Sequence, residues 1–172
     1  PAVVIPGVRG RAAAKLDQFF TKPGVAASCV TRLARLLPNG LPQFDLILEP
    51  SFGAGAFVRA LLSAGAPAER LIFFDIDSED EAHRRDFLKD RVVPDKFYRA
   101  GSSCLTIGNP PFGKNSSLAI AFFNRAADFS AIIAFVLPRT FSKPSVRDKL
   151  HRKFFLVLEE QLPAESFTFK GG

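Results

Sequence analysis

The sequence has few cysteines and histidines, which argues against a fold held together by disulfide bonds or by a metal ion. Its two cysteines, Cys29 and Cys104, lie in apolar segments far apart in the chain, and we expect buried free thiols rather than a structural disulfide. The two histidines, His83 and His151, have no acid or serine at a suggestive spacing. We therefore expect no metal site and no histidine-based catalysis.

The composition is that of one compact domain. Hydrophobic residues make up 47% of the 172 residues, enough to build a proper core. No apolar run approaches the roughly 20 residues that a membrane span requires. The sequence thus predicts a soluble protein, and we expect it to be cytoplasmic, with no membrane partner.

The formal net charge of +6 is concentrated in two stretches of the chain. Residues 9–35 contain six basic side chains against one aspartate, and residues 139–153 contain another six against one aspartate. Such clusters favour a polyanionic partner such as nucleic acid, although a charged stretch is more often only a solvated surface. Residues 1–14 contain no acid, and we expect them to form a flexible arm.

Apolar segments of strand length alternate with segments of helical periodicity. Strands are predicted over residues 45–49, 71–75, 104–107, 131–137 and 154–159. Helices are predicted over residues 23–37, between residues 55 and 65, and over residues 116–128 and 145–152. Apolar strands separated by helices predict a mostly parallel sheet covered on both faces, an α/β, Rossmann-like domain. In such sheets, ligands bind beyond the carboxyl ends of the strands.

Two of the predicted strands end in residues suited to a nucleoside. Glu49 precedes a turn containing Gly53 and Gly55, where the backbone could approach a ligand and the carboxylate could accept from an ammonium or a hydroxyl. Asp75 ends the next strand and could take both ribose hydroxyls. A tight turn and a helix-capping acid remain open as purely structural interpretations.

The most informative segment is Asn109-Pro110-Pro111-Phe112, which ends an apolar run. Proline fixes the backbone and removes amide donors, so nearby carbonyls stay free to accept. The Asn109 side-chain oxygen and the Pro110 carbonyl could hold both hydrogens of a planar amine, and Phe112 could stack on its ring for roughly 1–3 kcal/mol. Because positioning alone can lower a barrier, the segment predicts methyl transfer to an amino nitrogen, foremost adenine N6. A proline-rich turn is the structural alternative.

These motifs resemble the class I, S-adenosylmethionine-dependent N6-adenine methyltransferases, and the resemblance covers residues 16–169. Residues 16–23 resemble the leading motif that contacts the methionine carboxylate, and residues 137–141 resemble a segment of the target-base pocket. The resemblance implies a methyltransferase domain over residues 15–172, with Asn109, Pro110, Pro111 and Phe112 as the catalytic motif. It also implies S-adenosylmethionine as cofactor, held by Phe20, Thr21, Glu49, Pro50, Ser51, Gly53, Gly55, Asp75, Ile76, Asp86, Phe87 and Asn109.

The chain departs from that family in two respects. The closing hairpin strand should follow residues 167–170, so we expect it to be missing, and we find no separate target-recognition domain. Specificity is then expected from loops, from the basic clusters or from a protein partner.

The nucleic-acid contacts are predicted on the second basic cluster. Arg139, Lys143 and Arg147 are expected to hold phosphates of DNA or RNA.

Two alternatives remain open at the level of the sequence. One is methylation of another planar amide or amine, such as a glutamine side chain, although that group usually has tyrosine in place of Phe112. The other is a non-catalytic domain that binds nucleic acid or a partner.

Overall fold

The computed structural model of the chain describes residues 2–7, 19–99, 101 and 103–169. Its strands are β1 (Ala2–Gly7), β2 (Phe19–Thr21), β3 (Leu46–Glu49), β4 (Leu71–Phe73), β5 (Cys104–Gly108), β6 (Ile132–Pro138), β7 (Leu156–Glu159) and β8 (Phe167–Phe169). Its helices are α1 (Pro23–Leu36), α2 (Ala56–Ser63), α3 (Ser117–Ala127) and α4 (Pro144–Arg147). Short 3-10 turns and loops connect them.

Six of these strands form one parallel sheet in the order β4-β3-β5-β6-β1-β7. The strands β2 and β8 pair antiparallel in a separate two-stranded sheet. Every residue of β3 and β5 is buried, as expected for central strands of a sheet covered on both faces. The predicted α/β class with a parallel sheet is confirmed.

The two faces of the sheet belong to two separate hydrophobic cores. Helices α1 and α2 pack on one face, against alternate strand residues such as Ile47, Leu105 and Val136. Helix α3 packs on the other face, against Leu48 and Phe135 among others. The crossovers β3-α2-β4 and β5-α3-β6 run in opposite directions along the sheet, which places their helices on opposite faces.

The flexible arm predicted for residues 1–14 is wrong for Ala2–Gly7. These residues form β1, which pairs parallel with both β6 and β7. Its run of Val3, Val4 and Ile5 favours extended backbone, and pairing to two neighbours satisfies its main-chain groups. Residues 8–18, which include three basic residues of the first cluster and the start of the leading motif, lie outside the described residues.

Other boundaries differ by a few residues. The basic helix predicted over residues 145–152 ends at Arg147, because the Asn124 side chain binds the main chain that a longer helix would use. Its oxygen accepts from the His151 N–H at 2.8 Å and its amide donates to the Lys149 carbonyl at 2.9 Å. Among the described residues the main sheet has no antiparallel strand, and Phe167–Phe169 pairs with β2 instead.

Both cysteines are buried free thiols, as predicted. Burial raises the pKa of Cys29 to about 11 and that of Cys104 to about 12. Neither thiol is therefore reactive at neutral pH.

Adjacent leucines on α2 test the packing of the first core. Leu61 is fully buried, whereas Leu62 is 44% exposed. We expect Leu61→Ala to lower the free energy of unfolding by about 2–5 kcal/mol, because it leaves a cavity, and Leu62→Ala to change it by less than about 0.5 kcal/mol. Urea unfolding of the two variants measures the difference. Equal losses would contradict the described orientation of α2.

Candidate functional site

The site lies where the sheet reverses its winding. The strands β4 and β5 flank β3 on opposite sides, and such a reversal opens a crevice at the carboxyl ends of the strands. Glu49 is the last residue of β3, and Asn109 directly follows β5. A cavity of about 520 Å³ opens at this point, a volume in the range of small-molecule sites.

This cavity brings together residues from five separate segments of the chain. Predicted site residues in its lining are Phe20, Pro50, Ser51, Gly53, Asp75, Ile76, Asp86, Phe87, Asn109 and Pro111. A small adjoining void of about 30 Å³ adds Thr21 and Glu49 and shares Phe20, Gly53 and Asn109. Gly55, Pro110 and Phe112 line neither space. Gly55 instead starts α2 in a left-handed conformation.

The orientation of the Asn109 side chain is set by one hydrogen bond. Its Nδ2 donates to the Phe19 carbonyl at 2.8 Å. Since a carbonyl can only accept, the atom facing Phe19 is the amide nitrogen, and the oxygen must face the other way. That Oδ1 is buried and has no hydrogen-bond partner within the described residues. The Asn109 main-chain carbonyl accepts from Ser51 Oγ at 3.2 Å, which further fixes the residue.

Two more polar atoms beside Asn109 lack partners. Within the described part of the chain, Thr21 Oγ1 and Glu49 Oε2 are buried and make no hydrogen bond. Both residues line the small void next to Asn109. Leaving a buried polar group unsatisfied costs about 1–3 kcal/mol, so three such atoms at one place indicate a site that awaits a polar ligand.

The Glu49 carboxyl is strongly perturbed. Burial raises its pKa well above the usual range, and the nearby Asp75 carboxylate raises it further. The N–H of Val58 in the first turn of α2 and the Arg59 side chain act in the opposite direction. A buried carboxyl of this kind favours a cationic ligand, which would stabilise its ionised form.

Two glycines allow the chain segments to approach each other here. A Cβ at Gly53 would lie 2.9 Å from the Phe20 ring, and a Cβ at Gly108 would lie 3.3 Å from Cγ of Glu49. Gly108 and the Phe19 carbonyl are positioning elements that were not predicted. Gly108 could have been predicted, because a glycine inside an apolar strand marks the close approach of a neighbouring group. The role of the Phe19 carbonyl could not, because every residue has a backbone carbonyl.

Asp75 lines the cavity and already binds main chain. Its carboxylate accepts from the N–H of Gly53 at 2.9 Å and from the N–H of Asp77 at 3.0 Å. An ionised carboxylate offers about four acceptor positions. Two therefore remain for hydroxyl groups of a ligand, and the two amide contacts hold the side chain in place.

The predicted pair Asp86 and Phe87 divides between the cavity and the core. The Asp86 carboxylate accepts from the Leu88 N–H and lies 3.0 Å from the Lys89 ammonium, whose hydrogen bond lowers the pKa of Asp86. Phe87 is only 2% exposed, and its ring packs against three other phenylalanines of the core, Phe74, Phe122 and Phe129. Ile76, at 56% exposure, offers the cavity far more apolar surface.

Two residues of the proline motif, Pro110 and Phe112, lie next to the site but outside the lining of both spaces. Pro110 is buried, and no hydrogen bond within the described residues occupies its carbonyl. The Phe112 ring is stacked on that of Phe19, with centroids 5.7 Å apart. One face of Phe112 is therefore covered, and the predicted stacking on a base has only its other face available.

The three predicted phosphate-binding residues differ in their partners. Arg147 is bound to Glu159 at 2.7 Å and also donates to the Phe141 carbonyl. Arg139 donates to the neutral Gln161 side chain at 3.3 Å. Lys143 is exposed and has no ion pair or hydrogen bond through its ammonium among the described residues. Lys143 is thus the most available of the three charges.

The turn that carries Arg139 is tied to the proline motif. The Ser116 and Thr140 hydroxyls are hydrogen-bonded at 2.6 Å, which joins the loop after β5 to the turn after β6. Arg139 and Thr140 therefore lie at the same edge of the sheet as Asn109.

Comparison of the chain with protein-family models, with curated proteins and with solved structures gives no match. Within the described ranges no helix is long and apolar enough to cross a membrane, and no group of three histidine, cysteine or acidic side chains could hold a metal ion. The chain is therefore an α/β protein with a parallel sheet and, at the reversal of its strand order, a largely apolar cavity that carries a few polar groups.

The buried Glu49 carboxyl predicts a pH-dependent stability. Because its pKa is raised on folding, the carboxyl is neutral in both states below its unfolded pKa of roughly 4.3, and ionising it at higher pH destabilises the folded state. Glu49→Gln should therefore differ least from the wild type below the unfolded pKa and become progressively more stable than the wild type as the pH rises above it. Urea unfolding at a series of pH values measures the difference, with the exposed Glu165→Gln as control. A difference independent of pH would contradict the raised pKa.

Proposed function

We propose that the protein transfers a methyl group from S-adenosylmethionine to adenine N6 in a nucleic acid, on a class I methyltransferase fold. The observation that carries this proposal is the buried Oδ1 of Asn109, which has no hydrogen-bond partner among the described residues and belongs to a side chain fixed by the Phe19 carbonyl at the border of the cavity. An acceptor without a partner, on a strand end beside a nucleoside-sized cavity, suits a primary amine.

The residues around the cavity fit the parts of S-adenosylmethionine. Glu49 would hold the ammonium of the methionine moiety and the Thr21 hydroxyl its carboxylate, since each has a buried polar atom that finds no partner in the described part of the chain. Asp75 would take the ribose hydroxyls with its remaining acceptor positions, and Asp86 the adenine amino group. Bound there, S-adenosylmethionine supplies an electrophilic methyl group.

The acceptor amine would be held by Asn109 Oδ1 and by the Pro110 carbonyl, which lies outside the cavity lining but is occupied by no hydrogen bond among the described residues. The lone pair of an aromatic amine is delocalised into the ring, which makes the nitrogen a poor nucleophile. Two fixed acceptors that bind both of its hydrogens favour a more tetrahedral nitrogen, and preorganised acceptors of this kind need no reorganisation during the reaction. The pair would therefore make the amine more nucleophilic without a strong base: the N–C bond forms as the S–C bond of the sulfonium breaks, and the proton that the methylated nitrogen then loses passes to water.

Nucleic acid is the polymer that best explains the charge near the site. Arg139 lies at the same edge of the sheet as Asn109, and Lys143 follows it within the same basic cluster. Phosphate contacts from these side chains would position a strand without reading its sequence. The target adenine would have to leave its stack, which is easier in single strands and loops.

The acceptor role of Asn109 is tested by a methyl-transfer assay. Protein and labelled S-adenosylmethionine are incubated with DNA, structured RNA, single strands or protein extract, followed by digestion and identification of the labelled product. We expect label in N6-methyladenine. Asn109→Ala should lower the rate by about 10²–10³-fold, the cost of losing one preorganised contact to the reacting group.

The exposed Asn39, in the turn after α1, gives the matched control. Asn39→Ala should keep wild-type activity because the residue is remote from the cavity. Label found only in protein would show that the acceptor is a glutamine side chain or another amine and not adenine. Absence of any label, despite calorimetric binding of the cofactor, would show a non-catalytic domain.

The availability of Lys143 predicts a specific salt response. Lys143→Ala should reduce the slope of log affinity against log salt by about 0.7–0.9, the value expected for one phosphate contact. The exposed Lys96, which lies before β5 at the opposite end of the sheet, provides the control variant Lys96→Ala, for which we expect no change. Fluorescence anisotropy with a labelled oligonucleotide measures the slopes, and equal slopes for the two variants would remove Lys143 from the contact surface.

A further inference from the structure

A second cavity, of about 590 Å³, opens on the side of the sheet that α3 covers. Six apolar side chains contribute to its lining: Phe123, Phe141, Leu150, Phe154, Phe155 and Leu156. Its volume is in the range of small-molecule sites, which also combine apolar walls with a few polar groups. The cavity shares no lining residue with the one at Asn109, so methyl transfer at Asn109 does not account for it.

Phe155 is the most exposed aromatic residue of this lining. It is 67% exposed, and its ring contacts no other ring among the described residues. The Phe154 ring, in contrast, packs edge-on against Phe123, with centroids 5.7 Å apart. A free aromatic face binds a flat ring by stacking, and nucleic-acid bases stack on such faces whatever their identity.

Two cations precede this exposed ring, in a turn whose shape is fixed by hydrogen bonds. The Phe154 N–H donates to the His151 carbonyl at 3.1 Å, and the Lys153 N–H donates to Nδ1 of His151 at 3.3 Å. The His151 N–H donates in turn to the Asn124 side chain at 2.8 Å, which anchors the turn to α3. Arg152 and Lys153 at the centre of the turn are exposed, and neither has an ion pair within the described ranges.

The acidic side chains at the cavity leave this positive charge in excess. The Glu159 carboxylate accepts from both Arg147 and Ser142, so it is already occupied within the chain. Asp148 is the only acid in residues 139–158, a stretch with six basic side chains. The charge around the cavity therefore favours a ligand that combines flat rings with negative charge, as nucleic acid does.

The cavity also adjoins the surface on which we place the nucleic acid. Phe141 in its wall belongs to the same 3-10 turn as Arg139 and Thr140. The Thr140 hydroxyl is hydrogen-bonded to that of Ser116 at 2.6 Å, so this turn connects the loop that follows Asn109 with the wall of the second cavity. A strand that is held by Arg139 and has one base at Asn109 therefore has the second cavity beside it.

We propose that this cavity binds a second, unpaired nucleobase of the substrate strand, which stacks on Phe155 while Arg152 and Lys153 hold adjoining phosphates. The inference rests on the proposed function, because it takes the substrate to be a nucleic acid. An unpaired base is free to enter the cavity, whereas a base within a duplex is already stacked and paired. The cavity therefore favours single strands and unpaired loops of DNA or RNA over a duplex.

The test measures binding of labelled single strands without adenine, oligothymidine and oligouridine, by fluorescence anisotropy. Phe155→Ala should weaken their binding by about 5- to 150-fold, the effect of losing one stacked base. The slope of log affinity against log salt should stay unchanged, because stacking releases no counterions. A duplex, and a strand of equal length without bases, should bind the variant as they bind the wild type.

Leu62→Ala provides the matched control, because it removes an exposed apolar side chain from α2, on the opposite face of the sheet. It should bind every strand like the wild type.

A tryptophan at the same position reports the stacking directly. The chain contains no tryptophan, so Phe155→Trp provides a single fluorophore and keeps an aromatic ring. We expect the single strands to quench its emission and the strand without bases to leave it unchanged. This variant decides the question if Phe155→Ala fails to fold.

The outcome is separate from that of the methyl-transfer assay. A non-catalytic domain with this subsite would bind the adenine-free strands through Phe155 and transfer no methyl group. A methyltransferase without the subsite would methylate adenine, and its Phe155→Ala variant would bind the strands as well as the wild type does.

Several results would overturn the proposal. They are a wild type that binds no adenine-free strand, a Phe155→Ala variant that binds single strands undiminished or loses duplex binding equally, and tryptophan emission that bound single strands do not change. Self-association of the wild type that Phe155→Ala abolishes, with strand binding unaffected, would assign the surface to a protein contact instead.

Discussion

The hydrogen bond from Asn109 Nδ2 to the Phe19 carbonyl is the contact on which the site depends. It joins the end of β5 to β2, and β2 is held by its pairing with β8 and by the bond from the Lys22 N–H to the Ser166 carbonyl. The strands β2 and β8, far apart in the sequence, thus support one amide group. The main-chain carbonyl thus fixes the direction of the acceptor oxygen, which preorganises the Asn109 side chain for a ligand.

The same region carries a concentrated cost in stability. Three buried polar atoms that have no partner among the described residues lie next to one another, and one of them belongs to Glu49, whose pKa is raised by burial, while the hydrophobic cores cover the two faces of the sheet. Such costs are usual where a protein must bind a polar ligand, because groups prepared for that ligand are unsatisfied without it. The buried β3 and β5 strands provide the rigid support that keeps these groups in place.

Hydrophobic periodicity predicted the parallel sheet, its principal helices and the strand ends where Glu49, Asp75 and Asn109 meet, because parallel strands necessarily share one carboxyl edge. Features that depend on distant partners were not predictable. A short apolar segment such as Ala2–Gly7 becomes a strand only because it can form main-chain hydrogen bonds with both β6 and β7. Likewise, Phe87 is drawn into the core by other rings, and Arg147 is occupied by a glutamate that follows it by 12 positions.

In the proposed function, Glu49 faces the amino-acid part of the cofactor and Asn109 faces the acceptor base. A crystal structure of the protein with S-adenosylhomocysteine and adenosine measures this most directly. We expect the amino-acid nitrogen of the cofactor product within hydrogen-bonding distance of Glu49, and the adenosine N6 within about 3.2 Å of Asn109 Oδ1. A nucleoside bound elsewhere, or an Asn109 oxygen that stays unpaired with both ligands present, would contradict the proposed function.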